Sequence, residues 1–296
     1  MNHSLLLAAA AVPLVLGAPR QDEVPPEPPR NNEIDRDLVQ AVERGLAWLA
    51  AHQRRDGSWE GDVGYKLNNS YEVIPEGQNQ GHVGVTALAG MAFLANGQAP
   101  GRGKYGAVVE RALNYVLSSV DPTGFISANG TRMYSHAFAT LFLAEVVGMV
   151  RRDEVREKLE DAVRLIVDSQ NDEGGWRYVP MAKESDMSIT VCQVMALRAA
   201  RNVGIPVPRA TIDRAVAYVK DSAVRSPMSR RSGFPLVDDE RGAFRYQRQF
   251  YSRASFSLTA AGIVTLYGAG VYSGEDIEAG LNYLTRNLED FSTEWG

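Results

Sequence analysis

Two histidines, an aspartate and a serine recur at one place in four apolar segments, and chemistry can be built on them. The segments are HVGVTALAGMAFLA (82–95), HAFATLFLAEVVG (136–148), DMSITVCQVMALRAA (186–200) and SFSLTAAGIVTLYGAG (255–270). Each carries a threonine four residues after its first polar residue: Thr86, Thr140, Thr190 and Thr259. Aligned on that threonine, His82, His136, Asp186 and Ser255 share one level. Two imidazoles and a carboxylate brought together can act as an acid/base set or hold a metal ion. The chain has four histidines, and two of them fall at equivalent positions. No candidate ligands show the short spacing of a zinc site. Acid/base work by Asp186, His82 and His136, without metal or cofactor, is therefore the functional reading. A plainer reading stands beside it: Asp and Ser at a helix start are good N-caps, and the histidines can be buried and satisfied.

A second polar cluster, FRYQRQFYSRAS (244–255), precedes the fourth segment. Arg245, Arg248 and Arg253 alternate with Tyr246, Phe250 and Tyr251. Bidentate hydrogen bonds from such arginines can hold an anionic group, so Arg248, Tyr251, Arg253 and Ser255 are the candidate ligand-binding residues. Otherwise this is a polar loop whose aromatics pack. The stretch DVGYKLNNSYEVIPEGQNQG (62–81) is long for a loop without helical pattern, and loops of that kind are often functional. It is read as a lid.

Two kinds of helix must position these residues. One kind is amphipathic: LVQAVERGLAWL (38–49), VVERALNYVL (108–117), LEDAVRLIV (159–167), IDRAVAYV (212–219) and DIEAGLNYL (276–284). Apolar residues three and four apart, such as Leu38, Val42, Leu46 and Leu49, give one buried face. The other kind is the four segments above, apolar nearly all round, which must be covered on several sides. The two kinds alternate, with 50 residues from Tyr115 to Leu165 and 53 from Leu165 to Tyr218. That period is an array of helical hairpins, with an outer amphipathic layer and an inner apolar one. The loops share an order of residues: HQRRDGSWEG (52–61) and SQNDEGGWRY (169–178) both run Gln, acid, Gly, Trp. DPTGFIS (121–127) is a degenerate copy with Phe125 for Trp, and GAFRY (242–246) is another.

The Gln-Xaa-Xaa-Asp-Gly-Ser-Trp loop at 53–59 closely resembles the glutamine–tryptophan repeat of squalene–hopene cyclases, with a looser match at 170–176. From about residue 36 onward the chain resembles the terpenoid cyclase and protein prenyltransferase superfamily. The resemblance implies an all-α fold, an α/α toroid whose pore holds the active site at the inner-helix N-termini and takes an apolar or isoprenoid-like molecule. Those cyclases carry an Asp-Xaa-Asp-Asp-Thr run whose middle Asp protonates the substrate. The nearest segment here is KESDMSIT (183–190), with Asp186 on the last Asp, Ser185 in the donor's place and Lys183 in that of the first Asp. The resemblance thus leaves Asp186 or Glu184 to supply a proton. The Asp-Xaa-Cys zinc pair of prenyltransferases is absent, as is the Cys-Gly-Glu-Gln motif of thioester domains.

Of the 296 residues 45% are hydrophobic and 23% charged, with a net charge of −5. Nothing in that balance suggests a nucleic-acid partner, and the arginines at 225, 230 and 231 read as a solvated loop. An apolar run from Leu5 to Leu16, followed by Gly17 and Ala18, is too short to span a membrane and fits a signal peptide at 1–18. A Pro-rich linker follows at 19–35, and the repeat domain is expected over 36–296. The expected location is secreted or periplasmic. Cys192 stands alone, so no disulfide forms within the chain, and its apolar setting reads as core. Four outer–inner pairs and a last outer helix at 275–290 give about four and a half hairpins, an incomplete ring or a shortened chain. Two other functions fit such a frame: a non-catalytic extracytoplasmic module for a protein or glycan partner, and a glycan lyase or hydrolase.

Overall fold

The computed structural model describes residues 36–67, 70–74, 78–225, 240–249 and 252–289. The expected leader and linker lie outside these residues, as does Tyr251. The chain divides into two compact units, Met1–Arg44 and Gly45–Gly296. Of the first, the described part is the opening turns of helix α1 (Arg36–Ala51), where Leu38 and Val42 are exposed. The buried stripe expected along α1 thus reduces to Leu46, with Leu49 packed against the core. The first helix of an array is covered on fewer sides than an internal one.

In the second unit, outer and inner helices alternate: α2 (Val83–Ala95), α3 (Gly106–Ser118), α4 (Met133–Val146), α5 (Asp153–Asp168), α6 (Met187–Asn202), α7 (Arg209–Asp221), α8 (Phe256–Gly268) and α9 (Glu275–Arg286). The inner helices pack in succession, α2 on α4, α4 on α6 and α6 on α8. Each also packs on the outer helix that follows it, as α2 does on α3 and α4 on α5. The outer helices bury one face, Val155, Leu159, Ala162, Val163 and Ile166 in α5 for example. The inner ones are buried on nearly every side, as burial of ten of the fourteen α4 residues shows. This is the all-α, α/α-toroid arrangement, with four outer–inner pairs and a last outer helix among the described residues.

Among the described residues, three short antiparallel pairs interrupt the helices. Strand β1 (Glu60–Gly61) pairs with β4 (Gln80–Gly81), β2 (Gly64–Leu67) with β3 (Ser70–Val73), and β5 (Phe244–Arg245) with β6 (Ala254–Ser255). The insert at 62–81 thus carries the β2–β3 pair and strand β4.

The Gln…Gly…Trp loops join the layers. Gly174 has φ of +90°, and a Cβ there would lie 2.4 Å from the Arg214 carbonyl of α7. Gly57 stands in the same relation to the Arg111 carbonyl of α3, so only glycine lets the turn close on the next outer helix. Gln170 Nε2 donates to the carbonyls of Gly174 and Thr211, both at 2.8 Å, and Gln53 Nε2 donates to those of Gly57 and Val108, both at 2.9 Å. The indole of Trp176 donates to the Ile166 carbonyl at 2.7 Å, and that of Trp59 to the Leu49 carbonyl at 2.9 Å. Each glutamine thus bolts its own turn to the start of the next outer helix, while each tryptophan closes the end of the preceding one. Gln170 is buried and Gln53 half-buried. Gln170→Leu leaves two carbonyls without their donor and is expected to cost about 2 kcal/mol, against about 1 kcal/mol for Gln53→Leu. Urea unfolding of the two variants checks the order.

Candidate active site

The inner-helix starts repeat a hydrogen-bond pattern that fixes their register. At the N-cap of α2, His82 Nδ1 accepts from the Val85 amide at 3.2 Å. At that of α6, Asp186 Oδ1 accepts from the Ile189 amide at 2.9 Å, and at that of α8, Ser255 Oγ accepts from the Leu258 amide at 3.3 Å. One turn further on, Thr86, Thr190 and Thr259 accept the amides of Trp59, Trp176 and Phe244 at 3.1, 3.3 and 3.0 Å.

Helix α4 departs from the sequence alignment by one turn. Its N-cap is Arg132, which makes no side-chain cap. His136 occupies the place of the threonine: its amide bonds the Arg132 carbonyl as that of Thr190 bonds Asp186. Its Nδ1 accepts the Ile126 amide at 3.0 Å. Ile126, two residues after Gly124, is thus the counterpart of Trp59 and Trp176, and not Phe125 as the sequence suggested. His136 Nε2 lies 3.2 Å from the Ala162 carbonyl of α5 and donates to it, since the other nitrogen is the acceptor. The ring is fully buried, and burial lowers its pKa from 6.5 to about 4. Both nitrogens are committed to main chain, so the placement of His136 at the catalytic level is corrected: it is a neutral fastener between a loop and an outer helix.

The other predicted residues separate as well. No hydrogen bond or ion pair joins His82, His136 and Asp186 to one another, and among the described residues no cluster of His, Cys, Asp or Glu is arranged to hold a metal. Burial lowers the pKa of His82, which works as a cap. Arg248 is paired with Glu173 at 3.3 Å, and the Arg253 guanidinium lies over the Tyr246 ring at 5.3 Å. With Ser255 capping α8, these side chains are engaged within the protein rather than assembled around an open anion site.

What remains at the level of the N-caps is a cluster around Asp186. Its side chain is wholly buried. Besides the Ile189 amide, Oδ1 accepts from Ser188 Oγ at 2.6 Å, and Ser188 Oγ in turn accepts from the Tyr134 hydroxyl at 2.7 Å. Oδ2 makes no hydrogen bond of ordinary geometry, although the Tyr246 hydroxyl is close enough to the carboxyl to lower its pKa, and Arg177 Nε stands 3.9 Å away. Burial raises the Asp186 pKa, against the opposing pull of Ser188, Ile189, Arg177 and Tyr246. A carboxyl so placed favours its neutral form, in which it can donate a proton. Tyr246, whose hydroxyl is hydrogen-bonded to that of Tyr178, stands beside it. Each reaches its place because its carbonyl receives the first amide of a neighbouring inner helix: Met133 bonds Tyr178 and Met187 bonds Tyr246. Sequence reasoning names Tyr246 only within the 244–255 cluster and passes over Tyr178, Arg177, Ser188 and Tyr134. Their signal is the shared triplet Trp-Arg-Tyr (176–178) and Phe-Arg-Tyr (244–246).

In the corrected register, the positions two, six and nine residues after the N-cap form one stripe on each inner helix. They hold Gly84, Leu88 and Met91 in α2, Tyr134, Phe138 and Leu141 in α4, Ser188, Cys192 and Met195 in α6, and Ser257, Ala261 and Val264 in α8, all partly or fully exposed except Gly84. The stripe is apolar except at its Asp186 end. Burial pushes the Cys192 thiol up to about 12, so it is protonated and unreactive there. Along α6 the stripe runs from Ser188, hydrogen-bonded to the buried Asp186, to the less polar Cys192 and Met195.

No protein-family model matches the sequence, and no characterised protein matches it in sequence. Solved structures do align with it. A type II terpene cyclase from Scytonema in complex with its product merosterolic acid A aligns with a TM-score of 0.49 and 17% identity, over 86% of this chain and 64% of that one. A protein from Actinoplanes gives a TM-score of 0.49 and 12% identity over 86% and 66%. The ent-copalyl diphosphate synthase of Streptomyces platensis gives 0.47 and 18% over 75% of this chain and 37% of its own. This chain therefore spans about a third to two thirds of these three proteins.

Proposed function

We propose that this protein binds an apolar, isoprenoid-like molecule along the inner-helix stripe and that Asp186 protonates it. The observation that carries the reading is the buried carboxyl with one oxygen outside any ordinary hydrogen bond, joined through Ser188 to the stripe. Transfer of the Oδ2 proton to a carbon–carbon double bond forms a C–H bond and a carbocation and leaves Asp186 as the carboxylate. A water-poor apolar surface is what such a cation requires, because water would quench it. The neighbouring tyrosine rings offer negative π-faces to it. The resemblance of the loop at 53–59 to squalene–hopene cyclases supports the same substrate class, and the leader-like residues 1–18 support action outside the cytoplasm. Among the described residues no helix is long and apolar enough to cross a membrane.

The test is incubation of the full chain with a panel of polyprenyl alcohols, polyprenyl diphosphates and squalene in D2O, with products read by mass spectrometry. A cyclic product carrying one solvent deuteron is expected. Binding of these compounds without any deuterated product would leave a binding protein and sink the acid. Neither binding nor turnover across the panel would sink the substrate class.

A further inference from the structure

The oxygen of Asp186 that makes no ordinary hydrogen bond has a counterpart in the one that accepts two, and the contrast has a chemical use. A neutral carboxyl carries its proton on one oxygen only. Oδ1 already accepts two hydrogen bonds, from Ser188 Oγ at 2.6 Å and the Ile189 amide at 2.9 Å. A proton on Oδ1 would collide with one of those donors. The Ser188 hydroxyl is itself oriented, because its oxygen receives the Tyr134 hydroxyl at 2.7 Å and its hydrogen is left to point at Asp186.

We propose that Ser188, held by Tyr134, is a positioning residue that places the Asp186 proton on Oδ2. This inference rests on the acid role assigned to Asp186 above. Once Oδ2 has given up its proton, the same two donors stabilise the carboxylate left behind. Ser188 therefore acts on the acid twice, selecting which oxygen is charged with the proton and easing its release. The titratable groups facing Asp186 are Arg177 from the α5–α6 loop, Tyr134 from α4, Tyr218 from α7, Tyr246 from the segment before α8 and Cys192 from its own helix. Arg177 is the cation of this set, and neither Ser188→Ala nor Tyr134→Phe alters its charge.

The experiment reads the Asp186 protonation midpoint from stability rather than turnover, so it stands or falls apart from the substrate reading. Urea unfolding of the full chain is followed across pH, with and without Asp186→Asn, in four backgrounds: unmodified, Ser188→Ala, Ser188→Thr and Tyr134→Phe. Ser188→Ala is expected to move the midpoint up by about one pH unit, the scale of one lost hydrogen bond to a charged group. Ser188→Thr is expected to restore it and Tyr134→Phe to move it part of the way. Where a turnover assay is in hand, the alkaline limb of its pH profile is expected to move with the midpoint. An unchanged or lowered midpoint in Ser188→Ala overturns the proposal. If Ser188→Ala does not fold, an unchanged or lowered midpoint in Tyr134→Phe overturns it instead. Shifted midpoints without any turnover would uphold the positioning and discard the catalytic reading.

Discussion

Asp186→Asn is expected to leave the fold intact, to raise stability at neutral pH and to lower turnover by on the order of a thousandfold. Asparagine keeps an oxygen where Oδ1 stands, so the Ile189 amide and the Ser188 hydroxyl keep their acceptor. It remains a good N-cap for α6. What is lost is the proton, and with it the charge that a fully buried side chain carries when ionised. The sign follows from the direction of the shift. The folded-state pKa of Asp186 lies above its ordinary value of 3.8, so the folded chain holds the proton to higher pH than the unfolded chain does. Wild-type stability therefore falls as pH rises from the ordinary value through the folded one, and levels off above it. The variant lacks that fall. Its advantage over wild type is expected to be small at about pH 4, just above the ordinary value, and larger at about pH 8. Arg177 opposes the gain, since it loses its nearest carboxylate at 3.9 Å, but it sits at the limit of ion-pair distance. Urea midpoints at the two pH values decide the matter. A variant less stable than wild type at high pH would mean that Asp186 is an ion-paired carboxylate, which cannot serve as a general acid.

Asp186 was legible in the sequence because a helix start announces itself. Asp186 stands directly before a helix that begins at Met187, and an N-cap is a local feature that the chain writes within a few residues. The two kinds of helix were legible for a similar reason, since periodicity records how many sides are covered. The α4 register was not. Thr140 imitates Thr190, but the buried position that receives the loop amide is filled by His136, whose ring reaches where a threonine hydroxyl would. A residue of another type doing the same job defeats alignment by type. The strands at 60–81 were missed because Gly, Asn and Glu break the alternation that marks a strand, while their pairing is made by main chain. The tyrosine cluster was missed for a different reason. Tyr134, Tyr178 and Tyr246 come from three successive repeats and meet because main-chain bonds dock each loop on the preceding inner helix. Sequence spacing carries no trace of that docking. It becomes readable only once the hairpins are stacked in order.

His136 makes the corrected register testable. Its folded-state pKa of about 4 lies below the ordinary 6.5, so the folded chain binds fewer protons than the unfolded one between these values. Stability is complete above the higher pKa and falls as pH drops toward the lower, by about 3 kcal/mol in all. His136→Leu is expected to cost about 3 kcal/mol at neutral pH, because the Ile126 amide and the Ala162 carbonyl both lose their partner. His136→Thr is the sharper variant. It installs the residue that α2, α6 and α8 use at this position, where Thr86, Thr190 and Thr259 each accept a loop amide. It is expected to cost about 2 kcal/mol at neutral pH, from the space the ring vacates, and to lose little further stability on acidification to about pH 4.5. The carboxylates of Asp56 and Asp121, whose pKa values are lowered by their hydrogen bonds, lose their contribution only below the ordinary carboxylate value of 3.8. They therefore do not obscure the window. His82, also lowered, is present in both proteins and cancels in their difference. If His136→Thr kept the full acid sensitivity of wild type, the neutral, doubly bonded imidazole would be wrong and the alignment of His136 with His82 would regain its case. If the sensitivity vanishes, a histidine has been doing a threonine's work, and the second inner helix begins one turn earlier than its sequence suggests.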